Sequence, residues 1–346
     1  MRSARDVEHV KVGRTHLEGK YMIEPYPLLV DRRMSRRLWG GNRLAGYLGI
    51  EAPEGGEPLA EAWQIYAGNQ VHNGAYAGHT LGEVAKATGA WLLGTATVSR
   101  YGNSVPLLAK FIDAAQPLSI QVHPGDDYAR KHEAASGHLG KAEAWYILAA
   151  QPGAQIIWGF SESMTPGRVR RAVIEGDLEE FVNRIPVEAG DVIYNPEGTV
   201  HAIGAGLFLF EIQQASDLTY RLYDYGRRGA DGLERELHID RALDVANLEG
   251  GRLAKVAPLE LGNGRRLLVE SPHFAMEAIE PDARTSLATS PASLEFLTVT
   301  KGKAAVDTPS GRVALDAGTS AVLPATLGEY ALIGNAQILR CYVPVG

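Results

Sequence analysis

Val187-Glu-Ala-Gly-Asp-Val-Ile-Tyr-Asn-Pro196 has a counterpart near the end of the chain, Leu315-Asp-Ala-Gly-Thr-Ser-Ala-Val-Leu-Pro324. Both read as strand, glycine turn, strand and proline corner, with five residues between the glycine and the proline. Two copies of one all-β unit are the simplest explanation. The surrounding sequence agrees. Residues 118–122, 144–148, 156–160, 191–194 and 207–212 are short apolar or β-branched runs bounded by Gly, Pro or Asp, the mark of strands. The same texture returns at 274–279, 294–300, 304–306, 320–323, 330–333 and 337–343. Two patches, 80–92 and 163–184, are helical instead. In the second, Val169, Val173, Leu178, Phe181 and Val182 recur near helical spacing. Short strands with tight turns suit jelly rolls. The reading is a mainly β chain of two jelly-roll β-barrel units with a helical insertion.

The 346 residues correspond to about two domains at roughly 150 residues each. The divisions read from the pattern are a polar extension over 1–24, a larger unit over 25–248 with its helical insertion around 163–184, and a C-terminal unit over 249–346. Apolar residues make up 45% and charged residues 22%, which excludes a mainly disordered chain. The 39 glycines and 18 prolines favour many turns. A net charge of −7 argues against nucleic acid as a partner, while leaving room for a small anion held by a few local cations. One cysteine, Cys341, excludes an internal disulfide and a thiolate metal cluster. The first residues lack the apolar run of a secretory signal, and no stretch reaches membrane-spanning length. The expected location is the cytoplasm, with no membrane partner, as a monomer or homodimer. Arg32, Arg33, Arg36 and Arg37 read as a solvated face and Gly40-Gly41 as a turn.

Gln121-Val-His123 places two side chains at i and i+2 of one apparent strand, on the same face and about 7 Å apart along it. Pro124-Gly125 ends that strand. Gly190-x5-Pro196-x-Gly198-x2-His201 is a strand, a corner and a returning strand that carries a histidine. This spacing resembles the second motif of the cupin superfamily, and Gln121-x-His123 followed by Glu143 resembles the first, with Gln in place of its leading His. The resemblance implies that Gln121, His123, Glu143 and His201 converge inside one barrel. Two imidazoles, a carboxylate and an amide oxygen suit one divalent ion, Zn²⁺ foremost and also Mn²⁺, Co²⁺ or Fe²⁺. The polar segment 126–140 is expected to loop over the barrel mouth. The second copy lacks a histidine after Pro324 and has no Gln-x-His pair, so it reads as a metal-free cupin-like unit.

A narrower resemblance covers the chain from about Tyr26 onward. Leu108-Ala-Lys-Phe-Ile-Asp-Ala-Ala-Gln-Pro-Leu-Ser-Ile-Gln-Val-His-Pro124 and Gly140-Lys-Ala-Glu-Ala-Trp-Tyr146 resemble blocks of the type I mannose-6-phosphate isomerases. Gln213-Gln-Ala-Ser-Asp-Leu-Thr-Tyr-Arg-Leu-Tyr-Asp-Tyr-Gly-Arg227 is similar to the segment that carries the catalytic arginine in the family's shorter bacterial branch. The resemblance implies an aldose–ketose isomerase that interconverts mannose 6-phosphate and fructose 6-phosphate through a cis-enediol. It gives Arg221 the electrophile role, because an arginine is a poor base. Lys141, on the same strand face as Glu143, becomes a proton carrier. It also implies that Lys110 and Ser119 line the substrate pocket and contact phosphate, with Asp217 orienting Arg221 or binding a sugar hydroxyl. Arg227 and Arg228 are further phosphate candidates, although a surface turn suits them better.

The family's Gly-Glu-Ser-Trp-Glu is here Ala60-Glu-Ala-Trp-Gln64. If that block lines the pocket, the preferred sugar differs. An isomerase of another or unphosphorylated aldose is therefore an alternative, as is a non-catalytic sugar-binding protein. A different metal-dependent cupin enzyme, such as an Fe²⁺ dioxygenase, would leave Lys110, Lys141 and Arg221 without a task.

Overall fold

A computed structural model describes residues 23–51, 54–229, 232–251, 255–281 and 283–345. The extension expected over 1–24 lies outside the described residues, apart from Ile23 and Glu24. Strands dominate, in three sheets. The first has six strands in the order Arg33–Gly41, Leu59–Ile65, Leu107–Ala114, Leu207–Gln214, Glu143–Ala150, Val192–Asn195. The second has five, Tyr220–Tyr223, Ile120–Val122, His201–Ile203, Gln155–Phe160, Val182–Pro186. These two sheets share a core of Ile112, Leu118, Trp145, Ile147, Ile156, Trp158, Ile193, Ile203 and Leu209 and together form the first barrel.

The third sheet has nine strands. It takes in Leu28–Leu29 and the strands from Leu259–Gly262 to Glu329–Tyr342, and it closes on its own core around Leu297, Val299, Val306, Leu323, Leu332 and Ile338. Phe111, Phe208 and Phe210, on the outer face of the six-stranded sheet, pack with Phe274, Met276, Phe296 and Leu339 of the C-terminal unit. Period-two alternation explains how one strand serves both neighbours. Lys110 and Ile112 face the first barrel's interior, whereas Ala109 and Phe111 face the second unit.

The repeat in the sequence is a repeat in hydrogen bonding. Gly190 N–H donates to Ile147 O and Gly318 N–H to Val299 O, each at 2.8 Å. The glycines take φ of 97° and 82°, a region that side chains disfavour. Asp191 N–H closes the turn on Glu188 O, as Thr319 N–H does on Asp316 O. Beyond the corners, Thr199 N–H reaches Pro196 O and Leu327 N–H reaches Pro324 O. Counting four residues back from Ile147 and Val299 makes Glu295 the counterpart of Glu143. The pairing Glu143↔Gln213 likewise corresponds to Glu295↔Tyr342, and Lys110↔Glu211 to Glu277↔Arg340. The second unit thus carries the first unit's ion pair with its polarity reversed. Arg340 spans Glu295 (Nε–Oε2 2.8 Å) and Glu277 (Nη1–Oε1 3.3 Å), with Tyr330 and Tyr342 donating to the two carboxylates.

Three expectations need correction. The second helical patch runs only over Pro166–Glu175. Thr165 caps its start, Pro166 opens it and Gly176, at φ 81°, ends it, so β-branched Val182 and Ile185 enter a strand beside Gln155–Phe160. Gly40 and Gly41 lie within a strand rather than at a turn. A Cβ on Gly41 would stand 2.7 Å from the Asp113 carboxylate, which accepts from Arg43 N–H (2.7 Å) and Leu44 N–H (3.0 Å). The segment 126–140 is not a plain loop. Its helix, Asp126–His132, docks on the outer flank of the five-stranded sheet, where Tyr128 donates to Asp244 (2.9 Å) and Tyr220 donates to Glu133 (2.7 Å). Among the described residues, no helix is long and apolar enough to cross a membrane.

Candidate functional site

His201 pairs with Gln121, and Gln121 pairs with Arg221 on its other side. Residues directly opposite on antiparallel strands share a face, so Arg221, Gln121 and His201 form one row inside the barrel. His123 lies two residues along from Gln121. Facing them from the six-stranded sheet is Glu143. His123, Glu143 and His201 are buried, and their donor atoms lie within 4.8 Å of one another. Glu143 Oε2 is 3.4 Å from His123 Nε2, and its Oε1 is 3.2 Å from His201 Nε2.

The backbone sets the protonation of both rings. His123 Nδ1 lies 2.7 Å from Leu218 O and His201 Nδ1 lies 2.8 Å from Thr199 O, so each Nδ1 carries the proton and each Nε2 presents a lone pair. Burial, and then the Lys141 ammonium, push His123 down to about 3, which keeps the ring neutral. Burial works against the Glu143 charge, but the Lys141 ammonium outweighs it and holds this carboxyl well below the usual carboxylate range. Glu143 Oε1 and His201 Nε2 have no hydrogen-bond partner. Acceptors facing acceptors in a buried space repel unless a cation lies between them. Lys141 already supplies a positive charge, with Nζ 2.9 Å from Glu143 Oε2 and 3.2 Å from His123 Nε2. The donor set fits a divalent ion.

A cleft of about 260 Å³ opens beside this cluster. Gln121, Lys141, Arg221, Lys110, Ser119 and Asp217 all line it. Ser119 Oγ donates to Gln121 Oε1 (3.2 Å) and accepts from Arg221 Nε (3.2 Å). Arg221 also donates to Glu236 O at 3.1 Å. Asp217 lies on the rim, exposed, and the carboxylate of Asp224 holds Arg235 and Arg227. Lys110 is 6% exposed, with Nζ 3.0 Å from Glu211 Oε1 and 3.4 Å from Glu61 Oε1. Burial works against its charge, but those two carboxylates raise its pKa above the ordinary lysine value. Arg227 donates to Pro117 O at 2.5 Å and Arg228 pairs with Glu234 at 3.4 Å; neither lines this cleft.

Sequence reasoning missed Glu211, Arg37, Arg235 and His238, all of which line the cleft. Glu211 did leave a signal, a lone carboxylate within the apolar run Leu207-Phe-Leu-Phe-Glu-Ile212. Its Oε2 accepts from Trp145 Nε1 at 3.0 Å. Burial, and then the Glu143 charge, raise its pKa. His238 backs Arg221 through the backbone: its N–H donates to Arg221 O (2.8 Å), and Arg221 N–H donates to its Nδ1 (3.2 Å).

Comparison with known proteins shows the family. The family description "Phosphomannose isomerase type I, catalytic domain" matches residues 28–146. The mannose-6-phosphate isomerase of Streptococcus mutans is 36% identical over 323 residues, 91% of this chain and 98% of that protein. The chain belongs to the type I phosphomannose isomerase family. The crystal structure of the mannose 6-phosphate isomerase from Bacillus subtilis is 29% identical, with a TM-score of 0.82 over 91% of this chain and 99% of that one. A zinc-bound mannose 6-phosphate isomerase shares the fold at 18% identity, with a TM-score of 0.76 over 92% of this chain and 100% of that one. The departures from the family's Gly-Glu-Ser-Trp-Glu lie behind the cleft. Glu61 lines it, and Trp63 donates to Glu61 at 3.2 Å. Ala62 and Gln64 point the other way. Ala62 joins the core shared with the C-terminal unit, and Gln64 accepts from Ser320 at 3.0 Å.

Proposed function

We propose that the chain interconverts mannose 6-phosphate and fructose 6-phosphate through a cis-enediol, with one divalent ion, Zn²⁺ foremost, held by His123, Glu143, His201 and Gln121. The observation that carries this reading is the convergence of two imidazole lone pairs and a carboxylate on one point at the edge of a cation-lined cleft. An ion held by these residues would supply Lewis acidity to the substrate's oxygens. The residues of the chain do the rest. Glu211 takes the proton from C2 and returns it to C1; its raised pKa suits a base that must also release the proton. Lys110 stays charged beside it and steadies the carboxylate form. Arg221, braced by Ser119 and Glu236 O, stabilises the negative charge that develops on the oxygens. Lys141 carries protons between O1 and O2, and Asp217 binds a sugar hydroxyl at the rim. The substrate is a small sugar phosphate, and the location that fits it is the cytoplasm.

The test is isomerase activity on mannose 6-phosphate and on free mannose, with and without a chelator. Activity on the phosphate ester that chelation abolishes and Zn²⁺ restores is the expected result. Turnover of the free sugar alone would keep the site and replace the substrate. No isomerisation of either, with metal bound, would overturn the reading in favour of a sugar-binding protein.

A further inference from the structure

Arg221 lies on Tyr220–Tyr223, an edge strand of the five-stranded sheet. Its own N–H and C=O bond outside the sheet, both to His238. The His238 N–H donates to Arg221 O at 2.8 Å, and Arg221 N–H donates to His238 Nδ1 at 3.2 Å. One residue thus does for this position what a further strand would do, with a backbone donor for the carbonyl and a ring acceptor for the amide. The ladder on the inner side is irregular just there, with a register shift between Arg221 and Tyr223, so the outer pair of bonds helps to set where the arginine side chain leaves the strand. His238 is itself anchored. Its C=O accepts from Ala242 N–H at 2.8 Å, which ties it to the start of the helix Ile239–Val245.

The ring serves as an acceptor in one protonation state only. With Nδ1 accepting, the proton sits on Nε2, the opposite tautomer to that of His123 and His201. A proton on Nδ1 would set two N–H groups against each other. The charged and titratable groups around the ring are Arg221 and Tyr220 from the strand, Glu236 from the loop before it, Arg241 from the helix after it, and Glu133 from across the flank. Burial, and then the Arg221 charge, lower its pKa from the ordinary histidine value of 6.5, which keeps the ring neutral at neutral pH.

We propose that His238 is a positioning residue for Arg221: its neutral, Nε2-protonated ring clamps the backbone of the arginine, so that the guanidinium stands at the place where charge develops on the substrate. This rests on the isomerase reading. The side chain of Arg221 is long, so a small rotation at its Cα is amplified at the guanidinium, which Ser119 and Glu236 O hold by one bond each. Electrostatic stabilisation of a transition state needs donors fixed in advance. Without the Nδ1 acceptor the Arg221 amide has no partner and the strand edge is free to shift. Turnover therefore falls as the pH drops through the native pKa of His238, beyond any loss from protonating the base.

Two measurements test this. The first is kcat and KM for mannose 6-phosphate from about pH 5 to 9 in the zinc-loaded wild type, His238→Ala and His238→Asn. In His238→Ala kcat falls roughly ten- to hundredfold, the cost of a misplaced catalytic group, while KM moves by a smaller factor and zinc content stays unchanged. In His238→Asn the amide oxygen stands where Nδ1 stood and accepts from Arg221 N–H without titrating. Most of kcat returns, and more of it survives on the acid side than in the wild type. If His238→Ala fails to fold, the pH profile of His238→Asn carries the decision. A folded His238→Ala with kcat within about twofold of the wild type would overturn the proposal, and so would an acid limb in His238→Asn that coincides with the wild type's. The second measurement is imidazole ¹⁵N NMR of the zinc-loaded wild type, with His238→Asn assigning the signal. The expected result is a neutral ring protonated at Nε2, and a ring protonated at Nδ1 would overturn the clamp. Because this readout needs no turnover, a wild type that fails to isomerise mannose 6-phosphate would overturn the isomerase reading while the tautomer still decided the clamp.

Discussion

Glu211 and Lys110 stand directly opposite each other on neighbouring strands, with Glu211 Oε1 3.0 Å from Lys110 Nζ. The ammonium favours the carboxylate form, while burial and Glu143 oppose it, so this carboxyl is poised to take up and give back a proton. Glu211→Gln preserves the shape and the acceptor for Trp145 but removes the basic oxygen. The expected outcome is a fall in kcat of about 10²- to 10⁴-fold, the usual worth of a general base, with metal content unchanged. Metal analysis beside steady-state kinetics checks both halves. Wild-type turnover in the variant would remove Glu211 from the proton path.

Lys141 shares Glu143 with any ion that binds there, since its Nζ is 2.9 Å from Glu143 Oε2. Two cations competing for one carboxylate repel each other. Lys141→Gln is therefore expected to bind Zn²⁺ at least as tightly as the wild type while losing most of its turnover. His201→Ala should lose both, because His201 Nε2 serves no other partner. Chelator competition gives the affinities. Weaker zinc binding in Lys141→Gln would show that the lysine supports the ion instead of competing with it.

Two parts of the histidine and carboxylate cluster were legible because they are local, whereas Glu143 and the convergence of all the parts came from the family resemblance. Gln121 and His123 share a strand face at i and i+2, and Gly190, Pro196, Gly198 and His201 mark a turn with its own spacing. Glu211, Arg37 and Arg235 could not be read in the same way. Glu211 meets Lys110 only across a strand pairing, and Arg235 reaches the cleft because the chain after Tyr223 turns back to bond Asp224. Arg33 and Arg37 are exposed, as a solvated face requires, but the run belongs to a strand at the edge of its sheet, which Gly40 and Gly41 extend where a turn was expected. The long strands Glu295–Thr308 and Glu329–Tyr342 each read as two short ones, because Gly302 and Gly334 interrupt runs that the ladder carries on past, with one register shift between Val299 and Lys301.

Acid stability depends on carboxylates tied down in the native state. Glu197 is held below the ordinary Glu value of 4.5 chiefly by its hydrogen bond from His273, at 2.9 Å. Glu61 is also lowered: burial opposes its charge, but Lys110 and Arg37 outweigh it. Both groups bind protons more readily in the unfolded chain. Their stabilisation is complete above about pH 4.5 and is lost as the pH falls through their native values. Glu197→Gln should flatten the fall of the unfolding midpoint below pH 4.5 and leave the shape of the curve near pH 7 unchanged. Thermal melts from pH 3 to 7 check this, and parallel curves for the two proteins would exclude Glu197 as a contributor.

The reversed ion pair of the second unit gives the largest expected stability effect. Arg340 lies between Glu295 and Glu277, which are 1% and 3% exposed. Burial works against its charge, but its bonds to Glu295 outweigh that cost and raise its pKa above the ordinary arginine value. Arg340→Met fits a similar volume but leaves two buried carboxylates, with Arg265, 2.8 Å from Glu277, as the remaining ion-pair partner among the described residues. Breaking a buried ion pair by removing one partner costs about 3–5 kcal/mol. Removing all the charge costs less, because no carboxylate is then left unpaired. The triple replacement Arg340→Met, Glu277→Gln, Glu295→Gln is therefore expected to recover much of the stability lost by Arg340→Met alone. Denaturant unfolding of the two variants measures the difference. If the triple variant is less stable than the single one, the cost in Arg340→Met lies in lost packing and not in uncompensated charge.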